Sequence, residues 1–191
     1  MKYSVFILLI LILSCTKPQV RKPIIHNSSV SVYEESIQLN KKILKQEETI
    51  FKNIIKKDSL HVYKSSPYGF WYYYNKQIKN KNLKKVVSGN SVIINYEIRD
   101  TDNNIILSQE ELESKGQNKK GDRLLKIDGE DFILGLHEGI KLMKQGEIVT
   151  FLLPSNKAFG ATGLQNVIAP NQALIIKVKL KQILNNNNKI K

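Results

Sequence analysis

Residues 132–181 read FILGLHEGIKLMKQGEIVTFLLPSNKAFGATGLQNVIAPNQALIIKVKLK, and this stretch decides the fold. Near its end Leu174, Ile176, Val178 and Leu180 alternate with Ile175, Lys177, Lys179 and Lys181. A period of two puts one set on a buried face, as in a strand. Ile148, Thr150 and Leu152 predict a second strand, closed by Pro154. Ahead of it, Leu136, Ile140 and Met143 fall on one side of a short helix near Phe132 to Met143. Upstream, Val92, Ile94, Tyr96 and Ile98 alternate with Ile93, Asn95, Glu97 and Arg99. The Asp102-Asn103-Asn104 turn then precedes Ile105-Ile106-Leu107, and Leu125 and Ile127 lead toward the helix. Many short strands around one short helix predict an α+β domain built on an antiparallel sheet.

Working outward, His61-Val62-Tyr63, Ser66-Pro67-Tyr68-Gly69 and Phe70-Trp71-Tyr72-Tyr73-Tyr74 read as strand, turn and strand. Phe70, Tyr72 and Tyr74 share one face of the second strand, and Trp71 and Tyr73 the other. Such a strand is either buried on both sides or an aromatic platform. Lys and Asn dominate the connection from Lys76 to Lys85. Before it, Ile37, Lys41, Leu44, Glu48, Phe51 and Ile55 mark one stripe of a helix over Val32 to Lys57, with Ser31 and Glu34 at capping-box spacing. Lys41 and Glu48 interrupt the stripe, which disfavours a long coiled coil. That helix can pack on its own domain, act as a stalk or dimerise, and it is expected to be separable from the domain's pocket chemistry, so that deleting Val32 to Lys57 leaves a folded domain.

The 191 residues carry 30 Lys and Arg against 17 Asp and Glu, a formal charge of +13. With hydrophobic residues at 41% and charged residues at 25%, the composition is globular and excludes collagen-like or wholesale disordered chains. The basic residues are scattered, so charge alone makes no case for nucleic acid, which is not an expected partner. One cysteine, Cys15, rules out an intramolecular disulfide.

Met1-Lys2-Tyr3 gives a positive start, and Ser4 to Leu13 is an apolar run shorter than the ~20 residues of a spanning helix. Residues 1–14 therefore read as a signal peptide. Ile12-Leu13-Ser14-Cys15 resembles the bacterial lipobox, in which the cysteine receives diacylglycerol, the leader is cut before it and the new amino terminus is acylated, palmitate being typical. Loss of Lys2 leaves about +12. Each buried methylene contributes roughly 0.8 kcal/mol, so several acyl chains hold a protein on a bilayer. The expected location is the cell envelope, lipid-anchored at the outer membrane and facing the periplasm. Residues 15–30 form the lipidated tether, 31–59 a helical extension and 60–85 the aromatic hairpin and loop. Residues 86–184 form the main domain and 185–191 an Asn-rich disordered tail.

Three local motifs in the main domain occur in a familiar order. Gly89-Asn90-Ser91-Val92 leads to Ile94-Asn95-Tyr96, Phe132-Ile133-Leu134-Gly135-Leu136-His137-Glu138-Gly139 opens the helix, and Ala158-Phe159-Gly160-Ala161-Thr162-Gly163 follows. Together they resemble the FKBP-type peptidyl-prolyl cis/trans isomerases. The longer stretch that includes Gly69 to Lys76 and the cysteine motif is similar to the gliding-motility-associated isomerase lipoproteins. The resemblance implies an FKBP-like antiparallel sheet wrapped around a short central helix, rotamase activity, and proline-containing unfolded or assembling envelope proteins as partners. It implies no cofactor and no metal.

The resemblance also implies a site: Tyr96, Phe132, Ile133 and Phe159 as catalytic residues, with the Ile133 N–H donating to the substrate carbonyl. Ile106, Leu125, Leu136, Val167 and Ile176 complete the apolar pocket. The family's usual pocket acid is replaced by Leu107, its flap tyrosine by Phe159, its floor tryptophan by Leu136 and a last-strand phenylalanine by Ile176. Loss of these polar handles implies weaker macrolide binding, at roughly 1 kcal/mol per hydrogen bond. It also raises a second reading, a catalytically weak chaperone or binding module. The loop from Ser108 to Asp122 is longer than the family's. His26, His61 and His137 are far apart and read as surface residues. No Gly-rich phosphate loop or G-x-S-x-G elbow is present.

If Cys15 carries the anchor, Cys15→Ala should move the protein from the membrane fraction to the soluble fraction. Unchanged tight retention, with no acyl mass on the wild type, would contradict the anchor.

Overall fold

The computed structural model describes residues 28–80, 82–108, 122–129 and 132–184. The expectations for the leader, Cys15, the tether up to residue 27, most of the loop after Ser108 and the Asn-rich tail lie outside these residues. The elements are α1 (Ser28–Lys57), β1 (Lys64–Ser65), β2 (Trp71–Lys76), β3 (Ser91–Arg99), β4 (Ile105–Leu107), β5 (Arg123–Lys126), α2 (Leu134–Lys141), β6 (Ile148–Leu153), a 3-10 turn (Ser155–Lys157) and β7 (Leu174–Leu184). Helix α1 starts three residues before the expected cap, since no Pro or Gly after Pro23 stops it. Among the described residues no helix is long and apolar enough to cross a membrane.

All seven strands join one antiparallel sheet in the order β1-β2-β6-β7-β3-β4, with β5 also on β3. The alternation read from the sequence holds along β3 and β7, whereas β6 is buried on both faces and turns Val149, Phe151 and Leu153, not the expected Ile148, Thr150 and Leu152, toward the main cluster. Val149, Phe151 and Leu153 of β6, Ile176, Val178 and Leu180 of β7, and Val92, Ile94, Tyr96 and Ile98 of β3 enter one buried cluster with Leu136, Ile140 and Met143. Helix α2 can lie this close to β6 because Gly139 has no side chain; a Cβ there would come within 2.7 Å of the Phe151 ring.

Strand β2 is covered on both faces. Phe70, Tyr72 and Tyr74 join the α2-side cluster, whereas Trp71 joins the opposite one. His61-Val62-Tyr63 does not form the expected strand; the ladder to β2 is only Lys64–Ser65. His61 and Tyr63 instead pack on the Tyr73 ring, with centroids 4.0 and 4.9 Å away. Asp58, just past α1, accepts hydrogen bonds from His61 Nδ1 and the Tyr63 hydroxyl, both at 2.8 Å. Burial pushes its carboxyl up, but these bonds and one from the Leu60 N–H outweigh it and hold Asp58 below the ordinary value. The Lys- and Asn-rich connection after β2 is tied down by Glu147, a buried carboxylate that accepts the N–H groups of Ile78 (2.9 Å) and Lys144 (2.8 Å). Its charge is thus met by backbone donors, as burial demands.

The chain divides into two compact units, residues 1–37 and 38–191. Within the second, the α1 turns from Gln38 onward pack on their own domain, the first of the arrangements the sequence left open. Phe51 is fully buried with Leu152 and Ala173, flanked by Ile54, Ile55, Tyr63, Trp71 and Ile175. Its ring lies 5.8 Å from that of Trp71. The interrupted stripe is the reason: Phe51 and Ile55 face the sheet while Lys41 and Glu48 stay exposed. The sheet of this unit therefore has a helix on each face.

Phe51→Ala should cost about 3–5 kcal/mol in denaturant unfolding, by loss of buried apolar area and creation of a cavity. Ile50→Ala, on the exposed side of the same turn, should stay within about 0.5 kcal/mol.

Candidate active site

Several elements bring most of the expected site residues to the α2 side of the sheet. Strand β3 contributes Tyr96, 5% exposed, two residues before Ile98. Ile98 pairs with Ile176 of β7 and with Leu107 of β4, so these three sit in one row across the sheet. Strand β5 contributes Leu125 opposite Val92. The segment into α2 contributes Phe132, Ile133 and Leu136, and the loop after the 3-10 turn contributes Phe159.

Tyr96 and Phe132 meet edge to face, with centroids 5.8 Å apart. Leu125, Leu136 and Ile176 are fully buried inside the cluster, as is Ile133 nearly so. Ile106, Phe132 and Phe159 are its half-buried members, through which solvent reaches it. Val167 is 37% exposed, at the tip of a small hairpin closed by Leu164 and Ile168. Its neighbour Ile168 turns inward instead, at 4% exposure. Ile133 is the extended residue just before α2, with φ −59° and ψ 108°. Its carbonyl accepts from Leu136 and His137, while its N–H has no acceptor among the described residues.

Arg123, Ile168 and the buried placement of His137 escaped the sequence reading, whereas that reading marks Leu107 only as the position of a replaced acid. Arg123 places its guanidinium 4.0 Å from the Phe132 ring centroid, a cation–π contact. The alternation that buries Leu125 also puts Arg123 on its face, so that signal was present in the sequence. Leu107 and Ile168 are buried members of the cluster. His137 was expected at the surface but is 3% exposed. Its Nδ1 accepts the Asp128 N–H at 3.1 Å and so braces the turn from β5 into α2. Burial pushes the Asp128 carboxyl up, but hydrogen bonds from Lys141 and Ser88 outweigh it and hold the group below its ordinary value. Lys141, 3.0 Å from Asp128 and 3.1 Å from Glu138, is shifted upward against the opposing effect of burial. This network orients α2 and leaves the apolar cluster without a formal charge at its centre. Among the described residues no group of His, Cys, Asp and Glu is placed to hold a metal ion.

A sheet curved around one short helix, with an aromatic loop at its rim, defines a class. The family model described as FKBP-type peptidyl-prolyl cis-trans isomerase matches residues 83–181. The chain belongs to this family. It is similar to FK506-binding protein 2A of Rhizopus delemar, 29% identical over 99 residues that cover 52% of this chain and 56% of that one. It is also similar to the inactive peptidyl-prolyl cis-trans isomerase FKBP6 of Homo sapiens, 36% identical over 67 residues that cover 35% of this chain and 20% of that one. The chain thus spans about half, or less, of the length of these relatives. Among solved structures, the peptidyl-prolyl cis-trans isomerase of Pseudomonas syringae pv. tomato superposes with a TM-score of 0.57 at 20% identity, covering 76% of this chain and 96% of that one. That likeness establishes the fold. The FKBP-like antiparallel sheet expected from the sequence is the one found.

The loop that holds Phe159 depends on Gly163, whose φ is +66° and whose added Cβ would lie 2.4 Å from the Ile168 carbonyl oxygen. Gly163→Ala should cost about 1–3 kcal/mol in unfolding through local strain. Its NMR shift changes should be confined to residues 158–171.

Proposed function

We propose that this chain is a peptidyl-prolyl cis/trans isomerase, tethered by lipid on Cys15 to the outer membrane and facing the periplasm. There it assists the folding or assembly of envelope proteins, including those of a gliding-motility machinery. The observation that carries the enzymatic part is the pairing of the Tyr96 and Phe132 rings beside the unoccupied Ile133 N–H. The lipobox-like Ser14-Cys15 and the aromatic stretch from Gly69 to Lys76 support the envelope part.

The chemistry needs neither proton transfer nor a nucleophile. An X-Pro amide rotates over a barrier of ~18–20 kcal/mol, set by resonance between nitrogen and carbonyl. Water stabilises the planar, more polar amide. Enclosure by Tyr96, Ile106, Phe132, Phe159 and the side chains beneath them removes that stabilisation. The twisted transition state, in which the nitrogen is less conjugated, is then favoured by differential binding. The Ile133 N–H holds the substrate carbonyl so that rotation proceeds in one geometry.

A second reading has its own observation. Leu107 is buried in β4 where the resemblance places an acid, and Phe159 offers no hydroxyl. A pocket stripped of these groups binds apolar, proline-containing segments as a chaperone or as a component of an envelope complex, with little turnover.

A protease-coupled prolyl peptide assay on the full chain separates the two. In the isomerase reading, Tyr96→Ala and Phe132→Ala should each lower kcat/KM by roughly tenfold or more, beyond their effect on the folded fraction. Phe159→Tyr, at a half-buried position, should tighten macrolide binding by up to roughly tenfold, the equivalent of one good hydrogen bond. The double variant that adds Leu107→Asp tests the acid, with unfolding followed in parallel. No rate above background in the wild type, together with no gain in the variants, would leave the binding-module reading.

A further inference from the structure

Helix α1 touches the loop that carries Phe159 through one buried polar contact. Glu47 is 4% exposed, and its Oε1 accepts the Ser155 N–H at 3.1 Å. Ser155 opens the 3-10 turn that follows β6. The contact does not end at that residue. The Ser155 carbonyl accepts the N–H groups of Ala158 (2.9 Å) and Gly160 (2.8 Å), one on each side of Phe159. The Gly160 carbonyl in turn accepts the Asn171 N–H at 2.8 Å, closing the base of the loop. A continuous chain of hydrogen bonds thus runs from α1 to both flanks of the aromatic residue.

Among the described residues no other hydrogen bond joins α1 to this loop. The helix and the loop are separated by a groove of about 200 Å³, lined by Asn40, Ile43 and Leu44 on one side and Asn156, Gly160 and Ala161 on the other. Side-chain packing between the two is therefore incomplete above Glu47. A buried carboxylate is costly unless a donor meets it, and Oε2 has no partner among the described residues. An apolar residue at position 47 would serve core packing alone with less expense of this kind. The geometry instead matches a group placed to hold one particular backbone donor.

We propose that Glu47 is a positioning residue for the pocket: it sets the Ser155 turn and, through it, the placement of Phe159 at the rim. The inference rests on the isomerase reading for its effect on catalysis, but its structural core is independent of that reading. Through this contact the amino-terminal helix, which lies outside the stretch matched by the family model, acts on substrate capture.

The test uses amide hydrogen exchange and prolyl peptide kinetics on the full chain. Glu47→Ala removes the acceptor, Glu47→Asp draws it back by one methylene, and Glu47→Gln keeps an acceptor oxygen at the same reach. In the Ala and Asp variants, exchange at Ser155, Ala158 and Gly160 should rise by roughly tenfold or more, while amides of β3 and β7 keep their protection. KM should rise by roughly threefold to tenfold with kcat changed by less than about twofold, because the reacting geometry around Tyr96 and Ile133 is intact. Glu47→Gln should restore both readouts to within about twofold of wild type. Unchanged exchange at the three amides in Glu47→Ala overturns the proposal. So does a uniform rise across the whole sheet, which would make Glu47 a general stability group. A wild-type chain without isomerase activity overturns the function proposed above, and the exchange pattern then decides on Glu47 alone.

Discussion

Strand β7 is hydrogen-bonded along both edges, to β6 and to β3, and this double pairing is the constraint on which the domain depends. A central strand cannot slip by one residue, because a slip would carry Ile176, Val178 and Leu180 from the α2 side to the opposite face. The register of β7 thereby places Ile176 across from Ile98 and Val178 across from Tyr96. The row of apolar side chains beneath the site follows directly from that register. The α2 helix can only settle where the row leaves room, with Gly139 against Phe151.

The second face of the sheet has its own layer. Phe51, Leu152 and Ala173 form a small cluster that is chemically separate from the main one. It contains few residues, so it contributes less burial than the α2 side, yet it brings Glu47 to the turn after β6. A layer of this kind does two jobs with one surface. It covers apolar positions of β2, β6 and β7 that would otherwise face water, and it puts a helix in hydrogen-bond contact with the loop at the pocket rim.

The site works by what it excludes. No charged side chain is needed at its centre, and the polar groups close to it serve the scaffold: His137 braces a turn and Lys141 joins two carboxylates. Arg123 lies over Phe132 and adds a positive edge to an otherwise apolar rim. Leu107 and Phe159 add enclosure and offer no side-chain hydrogen bond. In the proposed isomerase reading, such a lining suits desolvation of an amide and offers little to ligands rich in acceptors.

The sequence by itself determined the strands and the central helix, because a period of two and a period of 3.6 are local properties of the chain. Val92 to Ile98, Ile148 to Leu152 and Leu174 to Leu180 were legible for that reason, as were most of the residues around Tyr96. The expected strand at His61 to Tyr63 failed because ring stacking on Tyr73 competes with a ladder, and nothing local reveals the partner. His137 looked like a surface histidine because its acceptor role depends on a turn at Asp128, nine residues away in the chain. The position of α1 was likewise beyond local reading. Its stripe tells which side is apolar, but only the tertiary structure decides that Phe51 meets Leu152 and Trp71, and that Glu47 reaches Ser155 across 108 residues of sequence. Such contacts depend on where two distant surfaces come to rest, which is set by the packing of the whole sheet and not by any segment within it.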